Sequence, residues 1–312
     1  MATEIQGNHC ALLTPFTEAG EVDTASFVAL IDSLITNDVH GLIVAGTTGE
    51  GFSLSVDERK SLAEVAVRAV NGRVPVGVMV GYVATEPSIE LARHAESVGA
   101  DYLLIPPPPS SFPLSSTGLG AYYIEVASAV SLPVMVYDGG GGIEVPLTTW
   151  RAVVAAADNI RYAKVAVPDA AKVSAILAAL DGKVQPFAGK EEPLLMMLAN
   201  GAMGMVSATA NVLPRQLSAV YTAYASGDRA LARGLFYREV LPVMNIAFVS
   251  RSEYIQCLKQ LLAWNGVISS PATRSPLPPL DPLRLEELAG VAQLASSAAD
   301  ASGFSILATD PL

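Results

Sequence analysis

The chain is poor in the residues that build disulfide and metal sites. Its 312 residues include 2 cysteines, Cys10 and Cys257, too few for a disulfide framework, so a reducing, cytoplasmic setting is expected. The 3 histidines (His9, His40, His94) lie far apart and none has metal-ligand spacing, so no metal and no cofactor is expected. Cations are scarce: Lys+Arg is 19 against Asp+Glu 30, a net charge of −11. A surface that acidic repels phosphate backbones and argues against nucleic acid as a partner. No apolar run reaches ~18 residues without Gly, Pro or charge, so no membrane span is expected. Met1 to Gln6 shows neither a basic n-region nor an apolar h-region of a leader. What is abundant is apolar: 51% hydrophobic against 16% charged residues excludes disorder and provides for a large core.

Short apolar runs alternate with longer helix-like segments. The expected strands are Cys10–Leu13, Gly41–Ala45, Val74–Val80, Tyr102–Ile105, Val134–Tyr137, Tyr162–Val165, Val184–Phe187 and Met203–Val206. Between them lie amphipathic stretches such as Thr24–Thr36, Val56–Val70, Thr85–Val98, Thr149–Ala156 and Ala170–Leu180. Ser55 with Glu58, and Asp169 before Ala170, read as helix starts; Asn71-Gly72, Gly99 and Asp181-Gly182 read as helix ends. The strands are continuous rather than alternating apolar runs, as expected when both faces are buried. Eight β-then-α units in about 225 residues predict an α/β fold of the (β/α)8 barrel type. An open doubly wound sheet would bring a glycine-rich phosphate turn after its first strand, but Thr14-Pro15-Phe16 stands there. From about Gly227 no further strand is expected, and helices are predicted over Arg229–Phe248, Glu253–Trp264 and Leu283–Ala299. The chain therefore divides into a barrel with the active site, 1–226, and a C-terminal helical domain, 227–312, with a poorly ordered tail after Ser302.

In such a barrel the residues just after each strand form the working face. After the second strand, Gly46-Thr47-Thr48-Gly49-Glu50 offers backbone N–H groups and hydroxyl donors suited to a carboxylate or oxyanion; an ordinary βα turn is the plain alternative. Tyr137 ends the fifth strand before Asp138 and the glycines Gly139 to Gly142, where it serves either as a proton relay or as packing. Lys164 ends the sixth strand. Desolvation there would free its amine to attack a carbonyl, whereas the alternative is a lysine snorkelling to the rim.

These elements resemble a known family. Gly41-Leu42-Ile43-Val44-Ala45-Gly46-Thr47-Thr48-Gly49-Glu50-Gly51-Phe52-Ser53-Leu54-Ser55 is similar to the signature of the dihydrodipicolinate synthase/N-acetylneuraminate lyase family. Tyr137 follows Thr47 by 90 residues and Lys164 follows Tyr137 by 27. Ala188-Gly189 and the run from Gly201 to Pro214 resemble the family's seventh and eighth strand ends. The resemblance implies a TIM barrel with a helical extension, assembled as a homotetramer. It also implies an imine between lysine and a 2-oxo acid, typically pyruvate, that reacts with an aldehyde. Lys164 then matches the imine-forming lysine, Tyr137 the relay tyrosine, and Thr47 and Thr48 the pair that relays protons and holds the oxo acid's carboxylate. Gly46 belongs to the same binding turn, and Gly189 matches a backbone contact in the pocket.

The chain departs from the family at defined places. The family's Tyr-Asn-x-Pro is Tyr137-Asp138-Gly139-Gly140 here, and no arginine follows to pair with a second substrate's carboxylate. The tyrosine pair expected after the fourth strand is absent from Pro106 to Phe112. Tyr162 and Ala163 precede the lysine where Gly and a bulky aliphatic are usual, which suggests that Tyr162 lines the aldehyde pocket. The expectation is a Schiff-base lyase of the class I aldolase type, with a partner other than aspartate semialdehyde. True dihydrodipicolinate synthase and a catalytically degenerate oxo-acid-binding barrel are the alternatives.

Overall fold

The computed structural model describes residues 5–109, 114–247 and 253–299. Eight parallel strands close into a barrel in chain order: β1 (Gly7–Ala11), β2 (Gly41–Val44), β3 (Val76–Met79), β4 (Tyr102–Ile105), β5 (Val134–Asp138), β6 (Ile160–Val165), β7 (Gln185–Ala188) and β8 (Gly204–Ser207). Each expected strand is present. The largest difference is at β1, which begins at Gly7 because its ladder with β8 already pairs Gly7 with Gly204. Helices α1 (Thr24–Thr36), α2 (Val56–Val70), α3 (Thr85–Ser97), α4 (Ser116–Ser128), α5 (Leu147–Ala156), α6 (Ala171–Ala179), α7 (Leu194–Ala199) and α8 (Pro214–Ala225) follow the strands in turn. The Ser55/Glu58 pair forms a full capping box on α2. Asp169 accepts from the Ala171 amide at 2.9 Å, and α6 starts one residue later than expected.

Strand periodicity sorts the side chains into two cores. Outward residues such as Ala163 and Val165 pack against the helices, while Ile43, Tyr102, Leu104, Met135, Tyr162 and Phe187 fill the barrel interior. His9 lies in that interior, with Nδ1 2.8 Å from the Tyr102 hydroxyl. Burial pulls its pKa down to about 3, so the ring is neutral. Room for it depends on Gly41, where a Cβ would come within 2.3 Å of the imidazole.

The C-terminal extension is helical. It comprises α9 (Arg229–Leu235), a π turn over Phe236–Val240, α10 (Leu241–Ala247), α11 (Tyr254–Trp264) and α12 (Pro282–Ala299). The single helix expected over Arg229–Phe248 is thus divided by the π turn, and Phe248 lies outside the described residues. The segment from Ser110 to Phe112 and the tail expected after Ser302 also lie outside them. No helix among the described residues is long and apolar enough to cross a membrane.

The extension is fastened to the barrel at the turn after β2. Lys259 Nζ donates to Glu50 Oε1 at 2.5 Å, with both side chains fully buried, and also to the Ala272 carbonyl at 2.8 Å. The other Glu50 oxygen accepts from the Arg274 amide at 2.9 Å, and the Arg274 guanidinium forks onto Glu58 at 2.9 and 2.6 Å. Removing one member of such a buried pair typically costs about 3–5 kcal/mol, because the other charge is left without its partner. The extension therefore braces the turn that carries Thr47 and Thr48.

Candidate active site

Lys164 and Tyr137 are paired residues on adjacent strands, β6 and β5. That register brings Lys164 Nζ within 4.0 Å of the Tyr137 ring centroid. Lys164 is only 7% exposed, and burial draws its pKa down to about 8, against the opposing pull of the Glu191 carboxylate. The neutral, nucleophilic amine is therefore accessible near neutral pH. Gly189, at the end of β7, keeps the lysine stem unobstructed, since a Cβ there would lie 2.9 Å from Lys164 Cγ. The Gly189 amide is taken by the Val165 carbonyl at 2.7 Å, so any backbone bond it makes to a ligand must be accepted by its own carbonyl.

Thr47 and Thr48 follow β2 in a turn closed by Glu50 N to Thr47 O (3.1 Å) and Gly51 N to Gly46 O (2.9 Å). Glu50 adopts a positive φ of 54° and turns its carboxylate toward Lys259. Both threonines line a cavity of about 240 Å³ that Tyr137, Lys164 and Gly189 also line. Of the residues expected at the site, these five are brought together. Gly46 is buried in the same turn and does not itself line the cavity.

The strand-end constellation agrees with a match over almost the whole chain. The sequence model of the Dihydrodipicolinate synthetase family matches residues 4–295. The chain belongs to that family. Family members are class I pyruvate-dependent aldolases or lyases, and the protein is an aldolase or lyase of that family. It is 34% identical over 288 residues to the 4-hydroxy-tetrahydrodipicolinate synthase of Syntrophobacter fumaroxidans, covering 90% of this chain and 97% of that one. It is 35% identical to the synthase of Kineococcus radiotolerans, covering 92% of each chain. Among solved structures, the synthase of Methylacidiphilum fumariolicum SolV superposes with a TM-score of 0.90 at 28% identity, covering 98% of this chain and 100% of that one. The chloride-inhibited synthase of Acinetobacter baumannii complexed with pyruvate gives 0.87 at 30% identity, covering 94% and 99%.

Within this dihydrodipicolinate synthetase family barrel, Tyr162 stands apart from the other residues expected at the site. Tyr162 lies on the same face of β6 as Lys164 but two residues earlier, which sets it deeper in the barrel by about 6–7 Å. Its hydroxyl accepts from the Ile5 amide at 3.4 Å, and it lines a different, larger cavity of about 940 Å³ with Ile160, Arg161 and Gln185. Those residues open β6 and β7, so that cavity is at the N-terminal end of the barrel. It contains none of Lys164, Tyr137 and the two threonines.

The glycine loop is more constrained than its composition suggests. Asp138 is fully buried and accepts from the Val145 amide and from Trp150 Nε1, both at 2.8 Å, with Lys172 Nζ 3.4 Å away. The Gly139 and Gly142 amides are spent on the Ile143 and Gly139 carbonyls, so the loop does not offer all its N–H groups to a ligand. Gly141 and Gly142, by contrast, face open space.

Sequence reasoning missed four polar groups on the cavity wall: Lys190, Glu191, Glu192 and Tyr254. One Glu191 oxygen accepts from Ser207 Oγ (2.7 Å) and from the Ala208 and Thr209 amides (2.9 and 3.1 Å), which ties the loop after β7 to the end of β8. Its position two residues after Gly189 was a usable signal under the strand-end rule. Tyr254 comes from α11 of the extension, and its hydroxyl lies 3.5 Å from Thr48 Oγ1. Among the described residues no group of three His, Cys, Asp or Glu is placed to hold a metal ion.

Proposed function

We propose that the enzyme activates pyruvate, or a longer 2-oxo acid, as an imine on Lys164 and exchanges that carbon nucleophile with an aldehyde. The neutral Nζ adds to the C2 carbonyl, water leaves, and the resulting iminium acidifies the C3 protons. Loss of one gives an enamine that adds to an aldehyde; the reverse sequence cleaves an aldol, and loss of a β-hydroxyl dehydrates one. Thr48 holds the oxo acid's carboxylate, while Tyr137 and Thr47 relay the proton. The observation that carries the reading is the buried Lys164 amine against the Tyr137 ring, in a cavity that both threonines also line. The related Acinetobacter synthase complexed with pyruvate supports the choice of oxo acid. Borohydride reduction in the presence of pyruvate should add the reduced ligand's mass to a peptide containing Lys164. Labelling that persists unchanged in Lys164→Ala would refute the assignment.

The aldehyde, on this reading, is not aspartate semialdehyde, because the Gly139–Gly142 loop supplies no guanidinium for its carboxylate. A second reading, the synthase activity named for the relatives, is favoured by Lys190, which brings another cation to the cavity wall. Steady-state assay with pyruvate and aspartate semialdehyde separates the two. A kcat/KM of ~10⁴ M⁻¹s⁻¹ or above decides for the synthase. The proposal also includes a cytoplasmic homotetramer. Exposed Phe52, Tyr82, Val83 and Leu114, on the loops after β2, β3 and β4, supply apolar surface for a subunit contact, and a sedimentation mass near 32.4 kDa would refute it. The division into a barrel, 1–226, and a helical unit, 227–312, is part of the same proposal.

A further inference from the structure

Helix α11 meets the Thr47–Glu50 turn twice. Lys259 grips Glu50 from one side, and Tyr254, at the start of the same helix, presents its hydroxyl 3.5 Å from Thr48 Oγ1. Tyr254 also lines the cavity, while Thr48 is only 5% exposed, so bulk water competes little for this contact. A threonine hydroxyl has one proton to donate, and a carboxylate accepts but does not donate. If Thr48 gives its proton to the oxo acid's carboxylate, its lone pairs are left to accept. Tyr254 stands where a donor is required. Burial pushes the phenol pKa well above its ordinary value, so it remains a donor across the working range.

From this geometry we propose that Tyr254 is a positioning residue for oxo-acid binding: it donates to Thr48 and thereby directs the Thr48 proton onto the substrate carboxylate. The inference rests on the assignment of Thr48 and Lys164 made under the proposed function. The separation of 3.5 Å is long for an O–H···O bond, and it should tighten when the carboxylate polarises Thr48. The helical extension would then take part in substrate recognition as well as bracing the turn.

The test is a double-mutant cycle of Tyr254→Phe and Thr48→Val, read by pyruvate titration of borohydride trapping and by steady-state KM and kcat. Phe keeps the buried ring, and circular dichroism and thermal melting confirm the fold of each variant. Tyr254→Phe should raise the half-saturating pyruvate concentration about 5- to 20-fold, the size of one hydrogen bond in a chain that ends on a charged group. It should leave kcat within about twofold, as expected when only uniform binding is lost. In the Thr48→Val background the same change should have no further effect. A purely structural role would give additive losses or a fall in kcat, and either result, or an unchanged half-saturation, overturns the proposal. Absence of any adduct in the unmodified enzyme would overturn the underlying reading and this inference with it, whereas normal trapping with an unaltered Tyr254→Phe titration overturns the inference alone.

Discussion

Burial lowers the Lys164 pKa at the expense of stability, and this can be measured without any substrate. Its pKa falls from 10.5 to about 8 through burial, with Glu191 offsetting part of the effect. The sign follows from linkage. Below about pH 8 the lysine is protonated in both folded and unfolded chains, so the full desolvation penalty opposes folding. Between about 8 and 10.5 the folded protein has released the proton that the unfolded chain still holds, and the penalty shrinks. Above 10.5 both states are neutral and it is gone. Replacing the residue by Met, which keeps the length of the stem without the charge, should therefore stabilise the protein at neutral pH. The shift corresponds to about 3 kcal/mol at pH 7 and about 1 kcal/mol at pH 9.5, as an order of magnitude. Loss of the cation that faces Glu191 subtracts from this, although that carboxylate keeps its three hydrogen bonds.

Urea titrations of the wild type and Lys164→Met at the two pH values provide the measurement. The expected result is a higher midpoint for the variant at pH 7 and a smaller gap at pH 9.5. A less stable variant at pH 7, or a gap that widens with pH, would show that the lysine is satisfied where it lies. Lys164 would then not be an activated amine.

Tyr137→Phe should still form the pyruvate adduct, while turnover falls by about a hundredfold or more, as expected for losing a proton-transfer group; equal losses in both assays would argue for packing alone. Glu191→Gln removes the negative charge that holds the Lys164 pKa up, while its amide oxygen still accepts from Ser207, Ala208 and Thr209. The midpoint of the pH–trapping profile should then move below about 8, and an unchanged or higher midpoint would refute the electrostatic coupling. Gly139 has a φ of 95° and a Cβ there would lie 2.8 Å from the Ala166 carbonyl carbon, whereas Gly141, with φ 60°, meets nothing within 4 Å. Gly139→Ala should therefore destabilise by about 3 kcal/mol or more and Gly141→Ala by about 1 kcal/mol, with denaturant midpoints as the check.

The difference between what the sequence disclosed and what it concealed follows from how a barrel is built. Strand and helix order is local information: continuous apolar runs, the Ser55/Glu58 box and the Asn71-Gly72 stop are all written within a few residues, and the structure repeats them. Lys164 and Tyr137 were legible because a strand end is a sequence position, and parallel register sets two neighbouring strand ends side by side. Depth inside the barrel is not written in this way. Tyr162 has the inward parity of Lys164, yet one pleat repeat of about 6–7 Å separates a residue at the cavity from one beneath it. Parity fixes the face of the sheet, and only the height at which neighbouring strands end decides which layer is open to a ligand. Tyr254 was hidden for a different reason. It lies 206 residues from Thr48 on a helix outside the repeat, and its approach is fixed by the buried pair that Lys259 makes with Glu50. Glu50 is buried by its positive-φ turn, and Lys259 lies mid-helix in an apolar stretch. Each alone reads as an anomaly of burial, and together they are the contact that brings a tyrosine to the mouth of the barrel.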